Sequence, residues 1–338
     1  MSTNMTSMQL MSSTNSTFIR PSSFYITGLN NIPHAKYYYV FLCIVYAVTL
    51  MGNSFIMGTI YLARSLHTAK YVAVFNLALC DLCGSSALIP KLLDMFLFEN
   101  QYISYEACLT NMFFVYVFMT LQSLTLLAMA YDRLIAICFP LRYHAIVTKT
   151  AMALIICVMW ILSMSVNAIL VALVTRLSFC RSTTVNSYFC DHGPVYKLAC
   201  NDNSMNSIMV YVCMAALLYI PLFLIALSYV CISFALWRIT QGVEQNKAMK
   251  TCTSHLILVT MFYLPIISVY TAALTTPLNA NIRIINTALT QTIPPMLNPI
   301  IYTLKTEEVL QSIKVLYKRT KVNTMEQALK KRRTKVTQ

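Results

Sequence analysis

The chain has 338 residues, of which 58% are hydrophobic and 11% charged, with a mean hydropathy of +0.63. Soluble domains carry about 25% charged residues, so a water-soluble enzyme of this size is a poor fit and an integral membrane protein is expected. The net charge of +14, from 25 Lys and Arg against 11 Asp and Glu, speaks first of membrane sidedness and argues against nucleic-acid binding.

Residues 1–36 are rich in Ser, Thr and Asn and hold no short apolar core of a cleavable signal, so the first long apolar run is expected to direct insertion itself. Seven runs are long enough to cross ~30 Å of hydrocarbon at 1.5 Å per residue. They are roughly Tyr37–Leu62, Tyr71–Met95, Leu109–Ile137, Ala151–Thr175, Ser207–Leu236, Cys252–Leu274 and Ile284–Leu304. None alternates as a barrel strand does, and bilayer-depth backbone must bond internally, so all are read as helices. The fold class is an all-α membrane protein, a seven-transmembrane helix bundle.

Seven spans put the chain ends on opposite sides. With the N-terminus outside, 18 of the 25 Lys and Arg fall on the inner side and seven outside, which fixes N-out and C-in. The Asn-X-Ser/Thr sequons, at Asn4 and Asn15, both lie in the outer tail and are candidate glycosylation sites. The chain is therefore expected to divide into an extracellular glycosylated tail (1–36), a seven-span membrane domain (37–304) and a cytoplasmic amphipathic helix with a basic tail (305–338). Of the 12 cysteines, Cys108, Cys180, Cys190 and Cys200 fall at the outer end of the third span or in the outer loop 176–206. Four cysteines allow three pairings, and spacing does not choose among them.

Polar residues inside spans are costly and each needs a reason. Asp81 sits mid-membrane in the second span and Asn53 follows Gly52 in the first. Asp132-Arg133 ends the third span within Met129-Ala130-Tyr131-Asp132-Arg133, running on to Pro140-Leu141-Arg142-Tyr143. Pro221 interrupts the fifth span, Pro265 the sixth, and Pro295-Met296-Leu297-Asn298-Pro299-Ile300-Ile301-Tyr302 ends the seventh. This ordered set, one piece per span, resembles the rhodopsin-like G-protein-coupled receptors. The finer pattern is similar to that of odorant receptors: Met-Ala-Tyr-Asp-Arg in the third span, Ser228-Tyr229 in the fifth, and Lys247-Ala248-Met249-Lys250-Thr251-Cys252-Thr253-Ser254-His255 leading into the sixth. Evenly spaced loop cysteines at 180, 190 and 200 belong to the same pattern. Leu66-His67-Thr68-Ala69-Lys70-Tyr71, Leu134 after Asp132-Arg133, and Gln122 in place of an acidic residue facing Asp81 depart from it and suggest a divergent, fish-type branch.

The resemblance implies bridges Cys108–Cys190 and Cys180–Cys200. It implies that Arg133, held by Asp132 at rest, is freed to receive a heterotrimeric G protein of the stimulatory, olfactory type, raising cAMP. Tyr229, Asn298, Pro299 and Tyr302 are the other residues of this switch. For Asp81 it leaves two options, a Na⁺ site or a plain polar network with Asn53 and Asn298, and Gln122 weakens the first by lowering local charge.

A ligand cavity needs inward faces from several helices. On the third span Met112, Val115, Tyr116, Met119, Thr120 and Ser123 share one stripe, and on the sixth Tyr263, Ile266, Ile267 and Tyr270 do the same. The resemblance adds Cys213, Leu217 and Gln291. The expected ligand-binding set is Met112, Tyr116, Met119, Thr120, Cys213, Leu217, Tyr263, Ile267, Tyr270 and Gln291, with Tyr263 sensing ligand beside the Pro265 kink. Val115 is apolar where amine receptors of the superfamily carry Asp, so no ammonium pairs there. Hydroxyls, thioethers and aromatic rings suit a small, weakly polar odorant. Lys91, Arg176, Arg181, Lys197 and Arg283 lie near the outer mouth, either as solvated loop charges or as an attraction for an anionic odorant.

Beyond Leu304, Val309, Ile313 and Leu316 share a face flanked by lysines, suited to a helix lying on inner-leaflet lipids. Lys330-Lys331-Arg332-Arg333 with Lys335 suits anionic lipid, a retention signal, or simple solvation. Location in the plasma membrane of olfactory cilia follows from the resemblance.

Rival readings fare worse. The chain shows no inverted repeat or ladder of intramembrane charges for a transporter or channel. It has no Lys within the seventh span for retinal, and no His-Glu-x-x-His, so neither enzyme activity nor a cofactor is expected. A non-olfactory rhodopsin-like receptor for a lipid or small hormone is the nearer alternative.

Overall fold

A computed structural model describes residues 18–29, 34–180, 182–238, 242–275, 280–306 and 308–318. Asn4, Asn15, Arg181, the basic segment 330–335 and the side chain of Tyr270 lie outside the described residues.

Seven long helices form the bundle: α1 (Ala35–Leu62), α2 (Ala69–Leu97), α3 (Tyr105–Cys138), α4 (Lys149–Val174), α5 (Ser204–Arg238), α6 (Val243–Thr275) and α7 (Ala280–Lys305). A shorter helix, α8, covers 308–318. Six of these, α1 to α6, are long and apolar enough to cross a membrane. Helix α7 is more polar because it turns Thr287, Thr290, Gln291, Thr292 and Asn298 inward and carries Pro294, Pro295 and Pro299. It packs against α1, α2 and α6, so its polar face meets protein, not lipid.

The outward faces carry Phe55, Leu154, Ile161, Phe223 and Leu264, all exposed, as a bilayer requires of a bundle surface. Helices run past the apolar spans where polar residues extend them at no lipid cost. Thus α6 begins nine residues before Cys252, and α3 begins at Tyr105, capped by Ser104 Oγ, which accepts from Ala107 N–H at 3.3 Å.

Two buried clusters fill the interior, one toward each membrane face. Hydrogen bonds tie the helices between them. Asn76 Nδ2 donates to Thr125 Oγ1 at 2.8 Å while Trp160 Nε1 donates to Asn76 Oδ1 at 2.9 Å, linking α2, α3 and α4.

Prolines within the helices leave carbonyls without their usual partner, and other helices supply one. In α7, Pro299 has no N–H for the Pro295 carbonyl, and Asn53 Nδ2 of α1 donates to it at 2.9 Å. The approach is close: a Cβ on Gly52 would lie 2.7 Å from Pro299 Cγ. In α5, a π-helical turn at Ala215–Tyr219 precedes Pro221, and the Leu217 carbonyl accepts from Ser123 Oγ of α3 at 2.7 Å.

The outer end is closed by a small sheet within an otherwise helical fold. Strand β1 (Ser23–Ile26) pairs antiparallel with β2 (Tyr102–Ser104) and parallel with β3 (Thr184–Val185). Phe24 and Ile26 point inward and are fully buried, so the last part of the outer tail is built into the cap. Its period-two pattern is only four residues long, flanked by Ser and Thr, and gives little signal in the sequence.

Candidate functional site

The outer loop is anchored before it can roof anything. Cys190 is bonded to Cys108 at the top of α3, and Cys180 to Cys200 within the loop. Asn111 of α3 holds the same point, accepting from Cys190 N–H at 3.2 Å and donating to the Ala87 carbonyl at 2.8 Å. Residues 189–197 then pass over a cavity of about 250 Å³ bounded by α3 to α7.

Of the expected ligand set, Tyr116, Met119, Thr120, Cys213, Leu217 and Gln291 line this cavity. Four do not. Met112 is fully buried higher on α3, in the outer cluster with Val115 and Tyr188. Tyr263 is buried one layer below, its hydroxyl 2.7 Å from Ser123 Oγ. Ile267 packs against the inner cluster. For Tyr270 only the backbone is described. The α3 stripe brings Tyr116, Met119 and Thr120 to the cavity, but depth along it depends on how far the loop and the neighbouring helices reach in.

The floor is Ser123, Leu217, Leu218, Phe262, Pro265 and Ile266. Ser123 joins three helices here: Oγ donates to Leu217 of α5, shares a hydrogen bond with Tyr263 of α6, and the Tyr263 hydroxyl also approaches the Ser123 carbonyl at 3.3 Å.

The roof contributes charge absent from the expected set. Asp191 Oδ1 accepts from the Tyr116 hydroxyl at 2.7 Å and from Gly193 N–H at 3.3 Å. Burial raises its carboxyl above the usual range, opposed by the Tyr116 hydroxyl and by Arg283. His192 is 1% exposed, and burial lowers it to about 4, so its ring is neutral. Its Nε2 faces the Asn206 amide nitrogen at 3.4 Å, a donor, which leaves the proton on Nδ1, and that atom has no partner. Asp191 is the residue after a loop cysteine, a position that periodicity cannot assign to any face.

At the cytoplasmic end, Arg133 lies 3.2 Å from Asp132, and Asp132 also accepts from the Tyr143 hydroxyl at 2.8 Å. Burial, then the adjoining Asp132 charge, raises the Tyr143 phenol well above its usual range, so it stays a donor. Tyr229 and Tyr302 are turned to other partners. The Tyr229 hydroxyl meets His255 Nδ1 at 2.8 Å, with the rings stacked, and Tyr302 Oη approaches Met129 Sδ at 3.4 Å. His255 Nε2 lies 3.1 Å from the Leu126 carbonyl, which only accepts. Nε2 therefore carries the proton and Nδ1 accepts from Tyr229. His255 thus ties α3, α5 and α6, although in the sequence it reads only as part of the run leading into the sixth span.

In mid-membrane, Asp81 Oδ2 accepts from Asn298 Nδ2 at 2.6 Å and Oδ1 from Gln122 Nε2 at 2.8 Å. Asn53, expected beside Asp81, is spent on Thr49 and Pro295 carbonyls. Asp81 is thus held by Asn298 and by Gln122, the residue the sequence placed facing it, and Asn53 is turned away. Helix α8 docks by Val309, 1% exposed, and Glu308 accepts from Tyr71 Oη at 2.6 Å and Lys70 Nζ at 3.1 Å.

Known proteins match this organisation. The family model described as "Olfactory receptor" matches residues 42–319. Olfactory receptor 1496 of Rattus norvegicus is 36% identical over 304 residues, covering 88% of this chain and 96% of the relative. Olfactory receptor 1F1 of Homo sapiens is 34% identical over 306 residues, covering 90% and 97%. Olfactory receptor 51F2 of Homo sapiens is 36% identical over 307 residues, covering 90% and 89%. The chain therefore belongs to the olfactory receptor family: a multi-pass plasma-membrane G-protein-coupled receptor for small-molecule odorants, and not an enzyme.

Proposed function

We propose that the odorant binds in the 250 Å³ outer cavity and that occupancy is passed through Ser123 to Arg133, which then engages a stimulatory, olfactory-type G protein and raises cAMP. The carrying observation is that Ser123 is at once cavity floor and hydrogen-bond partner of α5 and α6. A ligand pressing on Met119, Leu217 or Ile266 shifts side chains packed around those bonds. The hinge elements are at hand: Pro265 lies two residues beyond Tyr263, and Leu217 sits within the π-turn, four residues before Pro221.

Tyr116, Met119, Thr120, Cys213, Leu217 and Gln291 are the contact residues, with dispersion as the main attraction. On the inner face Asp132 restrains Arg133, Tyr229 and Tyr302 are its later partners, and Asn298 with Pro299 shapes the end of α7. Asp81 serves as polar support. The domain reading stands with these roles: glycans on Asn4 and Asn15 outside, and α8 with the basic tail on anionic inner-leaflet lipid.

The test is cAMP accumulation in cells displaying the receptor at their surface and exposed to pooled odorants. The proposal expects a rise that Arg133→Ala removes at equal display. A response through a different G protein, with cAMP flat, would overturn the coupling.

A further inference from the structure

The roof of the cavity holds charges of both signs that do not meet. Asp191, Arg283 and Lys197 all line it. Asp191 uses one carboxylate oxygen, on Tyr116 and Gly193, and its Oδ2 has no hydrogen bond among the described residues. Arg283 spends Nη2 on the Asn186 carbonyl, a neutral partner. No ion pair joins Asp191 to either cation among the described residues. Beside them the buried His192 carries its unpartnered Nδ1.

Unpaired charge in a partly desolvated wall is costly, and a ligand that completes the pairs recovers that cost as affinity. An amine alone would sit on Asp191 but face two cations. A carboxylate alone would satisfy Arg283 but face Asp191. An uncharged odorant would leave Asp191 and Arg283 without an ion pair, while the exposed Lys197 keeps its water. Below the roof, Met119, Leu217, Phe262 and Ile266 form an apolar well, so the ligand has its charges at one end and hydrocarbon at the other.

We propose that the receptor's ligand is a small zwitterion with an apolar side chain, its ammonium on Asp191 and its carboxylate on Arg283, with Lys197 at the mouth. This rests on the outer cavity being the ligand site. Asp191 would then take the place that Val115 leaves empty on α3, the acid coming from the loop instead of the helix.

The test compares matched probes on the full-length receptor in membranes, read by nucleotide exchange on an added G protein. Leucine carries both charges on a branched alkyl group. Isoamylamine lacks its carboxylate, 4-methylpentanoate lacks its ammonium, and isoamyl alcohol lacks both. Alanine, valine and phenylalanine vary the apolar part. The expected result is that at least one amino acid acts at a concentration tenfold or more below every single-charge or neutral probe. Asp191→Asn should cost it tenfold or more while leaving 4-methylpentanoate unweakened, and Asp191→Glu should restore part of the loss. A neutral or single-charge probe that equals the best amino acid overturns the proposal. So does silence toward all four amino acids at millimolar concentration, or unchanged potency in Asp191→Asn. Leu217→Trp, which fills the well, separates the two levels. Responses that survive the plug refute the outer-cavity reading itself, whereas responses it abolishes, with the wrong charge preference, refute only the zwitterion.

Discussion

Ser123 of α3 and Tyr263 of α6 share a hydrogen bond of 2.7 Å directly beneath the cavity floor. A buried hydroxyl pair of this kind contributes about 1 kcal/mol and, more to the point, fixes the relative depth of two helices. On the proposed route, with Pro265 two residues beyond Tyr263 in α6, this contact would hold the resting position. Ser123→Ala and Tyr263→Phe should each raise ligand-independent signalling, by about fivefold for a loss near 1 kcal/mol from a two-state balance. Basal cAMP at matched surface display checks this; an unchanged basal level in both variants would remove the pair from the switch.

On the same proposal, the inner restraint is the contact chain from Tyr143 to Asp132 to Arg133. Tyr143→Phe removes one donor to Asp132 and should raise basal activity modestly, whereas Arg133→Ala should abolish signalling without loss of display. Flow cytometry beside the cAMP assay separates the two effects.

Asn53 satisfies the carbonyl that Pro299 leaves open, deep in the membrane. Asn53→Ala would strand it, at about 1–3 kcal/mol. Gly52→Ala should also destabilise, because its Cβ would press Pro299 at 2.7 Å and separate α1 from α7. Thermal melts of the detergent-solubilised receptor measure both. An Asn53→Ala melt equal to wild type would mean that the carbonyl finds another donor.

Cys108–Cys190 fixes the roof to α3 at the point where the loop turns over the cavity. Cys108→Ser should sharply reduce surface display, as should mild reduction of the assembled receptor reduce its response. A normally displayed and active Cys108→Ser would refute the role of the bridge.

The buried neutral ring of His192 makes the roof acid-sensitive. Its folded value, about 4, is below the unfolded value near 6.5, so the unfolded state binds the extra proton first. Its contribution is fully present above pH 6.5 and is lost as pH falls toward 4, by up to about 3 kcal/mol. Asp191, raised by its own burial, works in the opposite direction, so wild type must be compared with His192→Gln. The variant should flatten the fall in melting temperature between pH 6.5 and 4.5; identical slopes would contradict the assignment.

The seven spans, their sidedness and the family were legible because each rests on a local signal: apolar length, Lys and Arg bias, or a short motif. Tyr116, Met119 and Thr120 were legible for the same reason, since they follow helical spacing, whereas Cys213, Leu217 and Gln291 came with the family resemblance. What the sequence hid depends on contact between distant segments. Met112 and Tyr263 share the right faces but lie above and below the cavity, a matter of how deep the loop sits. Asp191 and His192 are on an irregular loop, placed by a disulfide and by Asn111. That Asn53 turns away from Asp81 follows from its hydrogen bond to the Pro295 carbonyl, which Pro299 leaves open, and that pairing spans 242 residues of sequence.

The most direct test of the whole account is ligand-driven cAMP in three receptors displayed equally: wild type, Leu217→Trp with the cavity filled, and Arg133→Ala with the switch removed. The account predicts a response in wild type and none in either variant. A full response in the cavity-filled receptor would place the ligand elsewhere and contradict it.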